Sequence, residues 1–138
     1  MDMRVYVISG GPATGKTTTV DELKRRGYQV LEEGARKIAG SDERFIGKSI
    51  KQINHNQFQI AIFEEQRREL DALRAREEIT FSDRGLGDTL AYMRLRGVKI
   101  PEEFLKFAKK FRYAGIFILN PLNFYVQDEL RQESEEEQ

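Results

Sequence analysis

Val5-Tyr6-Val7-Ile8-Ser9-Gly10-Gly11-Pro12-Ala13-Thr14-Gly15-Lys16-Thr17-Thr18 decides the fold. The opening residues, Val5-Tyr6-Val7-Ile8, form a β-branched and aromatic run that ends in Ser9-Gly10-Gly11-Pro12, which reads as a buried strand entering a turn. A helix is expected to open near Lys16-Thr17, carry Val20 and Leu23 inward and stop at Gly27, with Arg25 and Arg26 complementing its dipole. Between strand and helix the chain fits Gly-x-x-x-x-Gly-Lys-Ser/Thr. Glycines let the backbone turn so that successive N–H groups point inward. Lys16 then sets a cation against the β and γ phosphates of a nucleoside triphosphate, and the Thr17 hydroxyl is expected to ligate Mg²⁺. The expected phosphate-binding residues are thus Gly10, Gly11, Pro12, Ala13, Thr14, Gly15, Lys16, Thr17 and Thr18, with ATP and Mg²⁺ as ligands. The four fixed positions arise by chance in roughly one chain in two hundred of this length, before strand and helix context is required. An ordinary glycine-rich turn is the alternative.

Working outward, residues 28–31 read as a second strand and 33–39 as a second helix. The polar stretch 40–48, with glycine near both ends, reads as a mobile loop. From about 50 to 74, Ile53, Ile60, Phe63, Leu70 and Leu73 recur at helical spacing and define one buried stripe, with polar residues on the other face. Residues 79–82 form a third strand, 88–96 a helix closed by Gly97, and Pro101 suits the first turn of another helix with Phe104, Phe107, Ala108 and Phe111 inward. A fourth strand over 116–119 stops at Asn120-Pro121, and a last helix is expected near Asp128. Strands alternating with helices of this length predict βαβ units: an α/β fold with a mostly parallel sheet covered by helices on both faces. The short, unalternating apolar strands fit a sheet buried on both sides.

Composition narrows the function. A chain of 138 residues fits a single domain over 1–138, and 39% hydrophobic with 33% charged residues is globular. No apolar run approaches the roughly 18 residues a membrane span needs, so no membrane partner is expected. Basic and acidic residues balance at 23 each, leaving no overall field to gather nucleic acid. Zero cysteines exclude thiolate chemistry and disulfides. Met1-Asp2-Met3-Arg4 leads straight toward the first strand without a secretory leader, and a cytoplasmic location is expected.

In a parallel α/β sheet ligands collect beyond the carboxyl ends of the strands. Asp83, ending the third strand, is the expected Mg²⁺-holding carboxylate, the alternative being an N-cap ahead of Gly85-Leu86-Gly87. Arg84 is a candidate phosphate contact or a surface ion-pair residue. Glu33, with Glu32 competing, is the candidate base for an attacking hydroxyl, the alternative being a charged first helical turn. Arg36 and His55, the lone histidine, are weaker candidates. Asn54, Asn56, Gln57 and Gln66 offer polar contacts from the long helix, and the phenylalanine stripe reads as core. Acceptor recognition is expected from that helix together with the 40–48 loop.

The phosphate loop, Gly27-Tyr28-Gln29-Val30-Leu31-Glu32-Glu33-Gly34-Ala35-Arg36, and Phe81-Ser82-Asp83-Arg84-Gly85 with Asp88-Thr89-Leu90-Ala91-Tyr92 together resemble the AAA_28-type P-loop ATPase/kinase family. That group is similar to the kinase domain of the bifunctional ribosylnicotinamide kinase/NMN adenylyltransferase regulator and, more distantly, to deoxynucleoside and thymidylate kinases. The resemblance covers nearly all of the chain, through Asn120-Pro121-Leu122 to Arg131. It implies a nucleoside-monophosphate-kinase-like P-loop NTPase sheet, Glu33 as base, and Asp83 with Arg84 beside Mg²⁺ and phosphate. Arg131 falls where adenylate-kinase-like folds place a lid and is a candidate phosphate contact, or else a lone cation in an acidic helix. Such domains continue into another strand and helix, so the expectation is either a sequence truncated after 138 or a product that lacks an edge of the sheet and part of the adenine pocket. The resulting expectation is a Mg²⁺-dependent kinase acting on a nucleoside-like hydroxyl, with a regulatory nucleotide-binding ATPase as the rival. Asp83-Arg84-Gly85-Leu86 in place of Asp-x-x-Gly, and the lack of an Asn-Lys-x-Asp motif, argue against a signalling GTPase.

Overall fold

A computed structural model describes residues 4–11, 14–73 and 78–121. Its elements run β1 (Val5–Ser9), α1 (Lys16–Arg25), β2 (Gln29–Leu31), α2 (Gly34–Ser41), a 3₁₀ turn (Ile50–Gln52), α3 (His55–Leu73), β3 (Thr80–Asp83), α4 (Leu86–Leu95), α5 (Glu102–Lys110) and β4 (Gly115–Ile118). Every described strand pair is parallel, and the sheet order is β2-β3-β1-β4. Parallel neighbours need long crossovers, and the helices supply them. Because β1 lies between β3 and β4, its carboxyl end is flanked on both sides, with Ile8 level with Asp83.

Side chains alternate along β1, so Val5 and Val7 face one way and Tyr6 and Ile8 the other. Val5 joins Phe63, Leu70, Leu86, Met93 and Phe104 in the main core, so α3, α4 and α5 cover its face. Phe63 and Phe104 stack there at 4.1 Å, which assigns the phenylalanine stripe to packing. On the opposite face Tyr6 meets Phe81 at 5.9 Å, and α1 shares a groove with Phe81 through Thr19 and Leu23. Helices therefore cover both faces of the α/β sheet. Among the described residues no helix is long and apolar enough to cross a membrane.

Four expectations need correction. The long helix starts at His55 rather than near 50, because the Asn54 side chain accepts the Gln57 N–H at 3.1 Å and caps it. Its face away from the main core is buried too: Ala61 and Ile62 pack with Ile38 and Phe45 in a second core, and Gln59, Glu65 and Gln66 are also buried. The stretch read as a mobile loop is folded, since α2 runs to Ser41 and Phe45, 2% exposed, sets its ring against Phe58 at 5.1 Å. The fourth strand is not buried on both faces. β4 leaves Ile116, Phe117 and Ile118 more than half exposed, because it lies at the described edge of the sheet. The helix expected near Asp128 and the candidate Arg131 lie outside the described residues.

Candidate nucleotide site

The site begins where β1 ends. Gly10 has no room for a side chain, since a Cβ there would stand 2.9 Å from Thr14 Oγ1 and 3.3 Å from Leu119. The Thr14 hydroxyl in turn donates to the Gly11 carbonyl at 2.9 Å, tying the loop across its own mouth. Gly15 enters α1 at φ 80°, a left-handed conformation that glycine adopts without strain. α1 opens with no side-chain cap and no acidic residue in its first turn. Its first N–H groups and the positive end of its dipole are left to an anion. Thr17 and Thr18 are exposed at this opening. Pro12 and Ala13 lie outside the described residues.

Lys16 stands between two acids. Its ammonium donates to Asp83 Oδ1 and lies 3.4 Å from Glu33 Oε2, with the Lys16, Asp83 and Glu33 side chains 10%, 5% and 21% exposed. The two glutamates after β2 part company: Glu33 turns to Lys16, whereas Glu32 pairs with Lys24 on the exposed side. Arg84 closes the group, its Nε 3.7 Å from Glu33 Oε2 and its Nη2 donating to the Gly10 carbonyl at 3.4 Å. It does so from φ 68°, the one left-handed non-glycine residue among those described. Such a conformation costs an L-residue about 1–2 kcal/mol and recurs where a side chain must be aimed. Asp83 is not the cap of α4. Asp88 accepts the Gly85 N–H at 2.8 Å and the Ser9 hydroxyl at 2.7 Å, while the Tyr113 hydroxyl accepts the Leu86 N–H at 3.0 Å. Burial pushes the Tyr113 phenol up to about 12, so it stays a neutral hydroxyl.

Beyond Glu33 and Arg84 opens a cavity of about 320 Å³. Its walls come from α2 (Gly34, Ala35), α3 (Phe58, Gln59, Ile62, Gln66) and α4 (Asp88, Thr89, Tyr92). No residue of 40–48 lines it, which corrects the expected source of acceptor recognition. Gly34 is needed for the wall: a Cβ there would lie 3.0 Å from Ile62. The α2–α3 seam is held by Lys37, 2.7 Å from Glu65 Oε1 and 3.6 Å from Glu69 Oε2. Burial pushes Glu65 up, yet Lys37 and Arg68 outweigh it and hold the carboxyl below its ordinary range; at Glu69 burial prevails and the shift is upward.

Sequence reasoning singled out Gln66 but missed Phe58, Gln59, Asp88 and Thr89 as members of this wall. Asn54 serves as the cap of α3, Arg36 is exposed, and Arg36, His55, Asn56 and Gln57 are not among the cavity's lining residues. Asp88 had a legible signal, standing three residues past Gly85 as a capping carboxylate does. Phe58 and Gln59 had none, since their facing depends on where α3 starts.

The donor set fits Mg²⁺. Thr17 offers a hydroxyl at the first turn of α1 and Asp83 a carboxylate at the end of the adjacent strand, the hard oxygens this ion takes alongside phosphate and water. Among the described residues no three His, Cys, Asp or Glu side chains gather to cage a metal, and Mg²⁺ shared with phosphates requires no such cage.

A strand, a glycine-bounded loop, an uncapped helix and a lysine facing the carboxylate of the neighbouring strand define a nucleotide-binding P-loop domain of the NTPase class. Within that class the chain belongs to the AAA_28 family, whose model, described as an AAA domain, matches residues 5–138. The match does not extend to the finer likeness to ribosylnicotinamide kinase. No curated protein matches the sequence.

Proposed function

We propose that this domain is a Mg²⁺-dependent phosphotransferase that moves the γ-phosphoryl group of ATP to a hydroxyl of a small, nucleoside-like acceptor. The observation that supports this most is the position of Glu33, with one side toward Lys16 and Arg84 and the other on the wall of the 320 Å³ cavity. A carboxylate at that junction can receive the proton of an acceptor hydroxyl as its oxygen bonds to the γ-phosphorus. The bond from phosphorus to the β–γ bridging oxygen breaks, and ADP leaves. The backbone N–H groups of residues 10–18, Pro12 excepted, and Lys16 hold the β and γ phosphates, and Arg84 neutralises charge on the transferring group. Thr17 and Asp83 would hold Mg²⁺, which when bound would neutralise phosphate charge. Positioning and electrostatics provide most of the rate in such transfers.

Glu33→Gln tests the reading. With nucleosides and related hydroxyl compounds offered in turn, the variant should bind Mg-ATP like the wild type. Its acceptor-dependent ADP release should fall by roughly 10²–10⁴. Undiminished transfer would remove Glu33 as the base. ADP release that no acceptor raises above the water-only rate would favour an ATPase module instead.

A further inference from the structure

Lys16 meets two carboxylates at once. Its ammonium donates to Asp83 Oδ1 and lies 3.4 Å from Glu33 Oε2, with the Lys16 side chain 10% exposed and that of Asp83 5%. Among the described residues no other cation pairs with Asp83: Arg84 approaches Glu33 at 3.7 Å and otherwise serves the Gly10 carbonyl, while Lys24 is taken by Glu32. Two cations thus balance two anions, and the group is neutral as it stands. Buried carboxylates are held when paired, because an uncompensated charge there is costly. Lys16 and Asp83 are also the residues that a triphosphate and its metal require. Asp83 cannot serve both cations. Mg²⁺ bonds a carboxylate oxygen at about 2.0–2.1 Å and would bring its double charge against the ammonium, in surroundings where like charges are poorly screened.

We propose that Lys16 is a stand-in for the metal cation: it neutralises Asp83 until a triphosphate draws the ammonium away, so that divalent cation and nucleotide bind as a coupled pair. This rests on the phosphotransfer reading and adds how metal and nucleotide enter the same site. A divalent cation alone meets a neutral group whose carboxylate is already covered, and gains little. A triphosphate alone must take Lys16 from Asp83 and then faces two bare carboxylates, which repel it. When both arrive, phosphate oxygens receive Lys16 while Asp83 and the exposed Thr17 receive the cation, and every charge keeps a partner. Each ligand then raises the other's affinity by the same factor, roughly 5–150-fold for couplings of this kind.

Mn²⁺ takes the same oxygen ligands and is followed by its paramagnetic resonance, so it is titrated without nucleotide into wild type and Lys16→Met. Wild type should bind it weakly. The variant, with Asp83 and Glu33 uncovered, should bind it roughly 5–150-fold more tightly and gain melting temperature when Mn²⁺ is added. Asp83→Asn gives the converse and decides the matter if the methionine variant does not fold. With Lys16 released to phosphate, ATP in EDTA should bind more tightly than to wild type, and Mg-ATP more weakly. Equal Mn²⁺ affinity in wild type and a folded Lys16→Met, or no gain for metal-free ATP in Asp83→Asn, overturns the inference. Mg-ATP binding and acceptor-dependent ADP release by wild type would then leave the phosphotransfer reading standing. A wild-type chain that binds no Mg-ATP removes that reading and this inference together.

Discussion

Replacing Arg84 by glycine and, separately, by alanine isolates the strain at the one left-handed non-glycine residue described, φ 68°. Both variants lose the same side chain, including its 3.7 Å approach to Glu33 and its bond to Gly10, so these losses cancel in the comparison. Alanine keeps the left-handed penalty of about 1–2 kcal/mol, whereas glycine escapes it but brings extra chain entropy of about 0.5–1 kcal/mol. The net is about 1 kcal/mol in favour of glycine. An unfolding entropy of about 2.1 cal/mol/K per residue makes that about 3 °C for a chain of 138 residues. Differential scanning calorimetry of the ligand-free proteins should therefore place Arg84→Gly about 3 °C above Arg84→Ala. Both should bind Mg-ATP or turn it over at least tenfold less well than wild type, having lost a charged phosphate contact. A glycine variant melting at or below the alanine variant would show that the backbone at 84 is not strained. Undiminished activity in both would separate Arg84 from the chemistry.

Other perturbations probe the scaffold. Tyr113→Phe strands the Leu86 N–H at the start of α4 and should cost about 1–2 kcal/mol in urea denaturation; an unchanged midpoint would mean that water takes over the bond. Gly85→Ala drives a Cβ to 2.8 Å from Val7 and 3.1 Å from the Tyr113 hydroxyl, so about 1–3 kcal/mol of stability should be lost, and a neutral result would contradict the close packing of α4 on β1. Glu69 has its carboxyl pushed above 4.5, by burial first, so the folded chain holds that proton more tightly than the unfolded one. The stability it contributes is complete below pH 4.5 and is lost as pH rises through the raised value. Glu69→Gln cannot ionise, and its melting temperature relative to wild type should climb as pH rises from 4.5; a difference flat with pH would contradict the assignment.

The fold was legible because its signals are local. Val5 to Thr18 combine a strand run, a glycine-bounded turn and a helix start, and one crossover pattern accommodates the later strands. What escaped depends on tertiary contact. Glu32 and Glu33 are equivalent in sequence, and only the direction in which the chain leaves β2 turns Glu33 to Lys16 and Glu32 to Lys24. Residues 40–48 read as a loop because one phenylalanine among charges carries no periodicity, yet Phe45 alone anchors the segment in the second core. The apolar stripe of α3 hid a second buried face, because polar Gln59, Glu65 and Gln66 are buried there by α2 and α4. With the helix start misplaced before the Asn54 cap, the wall formed by Phe58 and Gln59 had no sequence signature.

The central claim is that the glycine loop and Lys16 hold a nucleoside triphosphate. Calorimetric titration of the full chain with Mg-ATP, beside Lys16→Ala, tests it most directly. Wild type should show saturable one-site binding, and loss of the ammonium should weaken it at least tenfold. Saturable binding of equal strength in both proteins, or no heat in either, would contradict a phosphate cradle at residues 10–18.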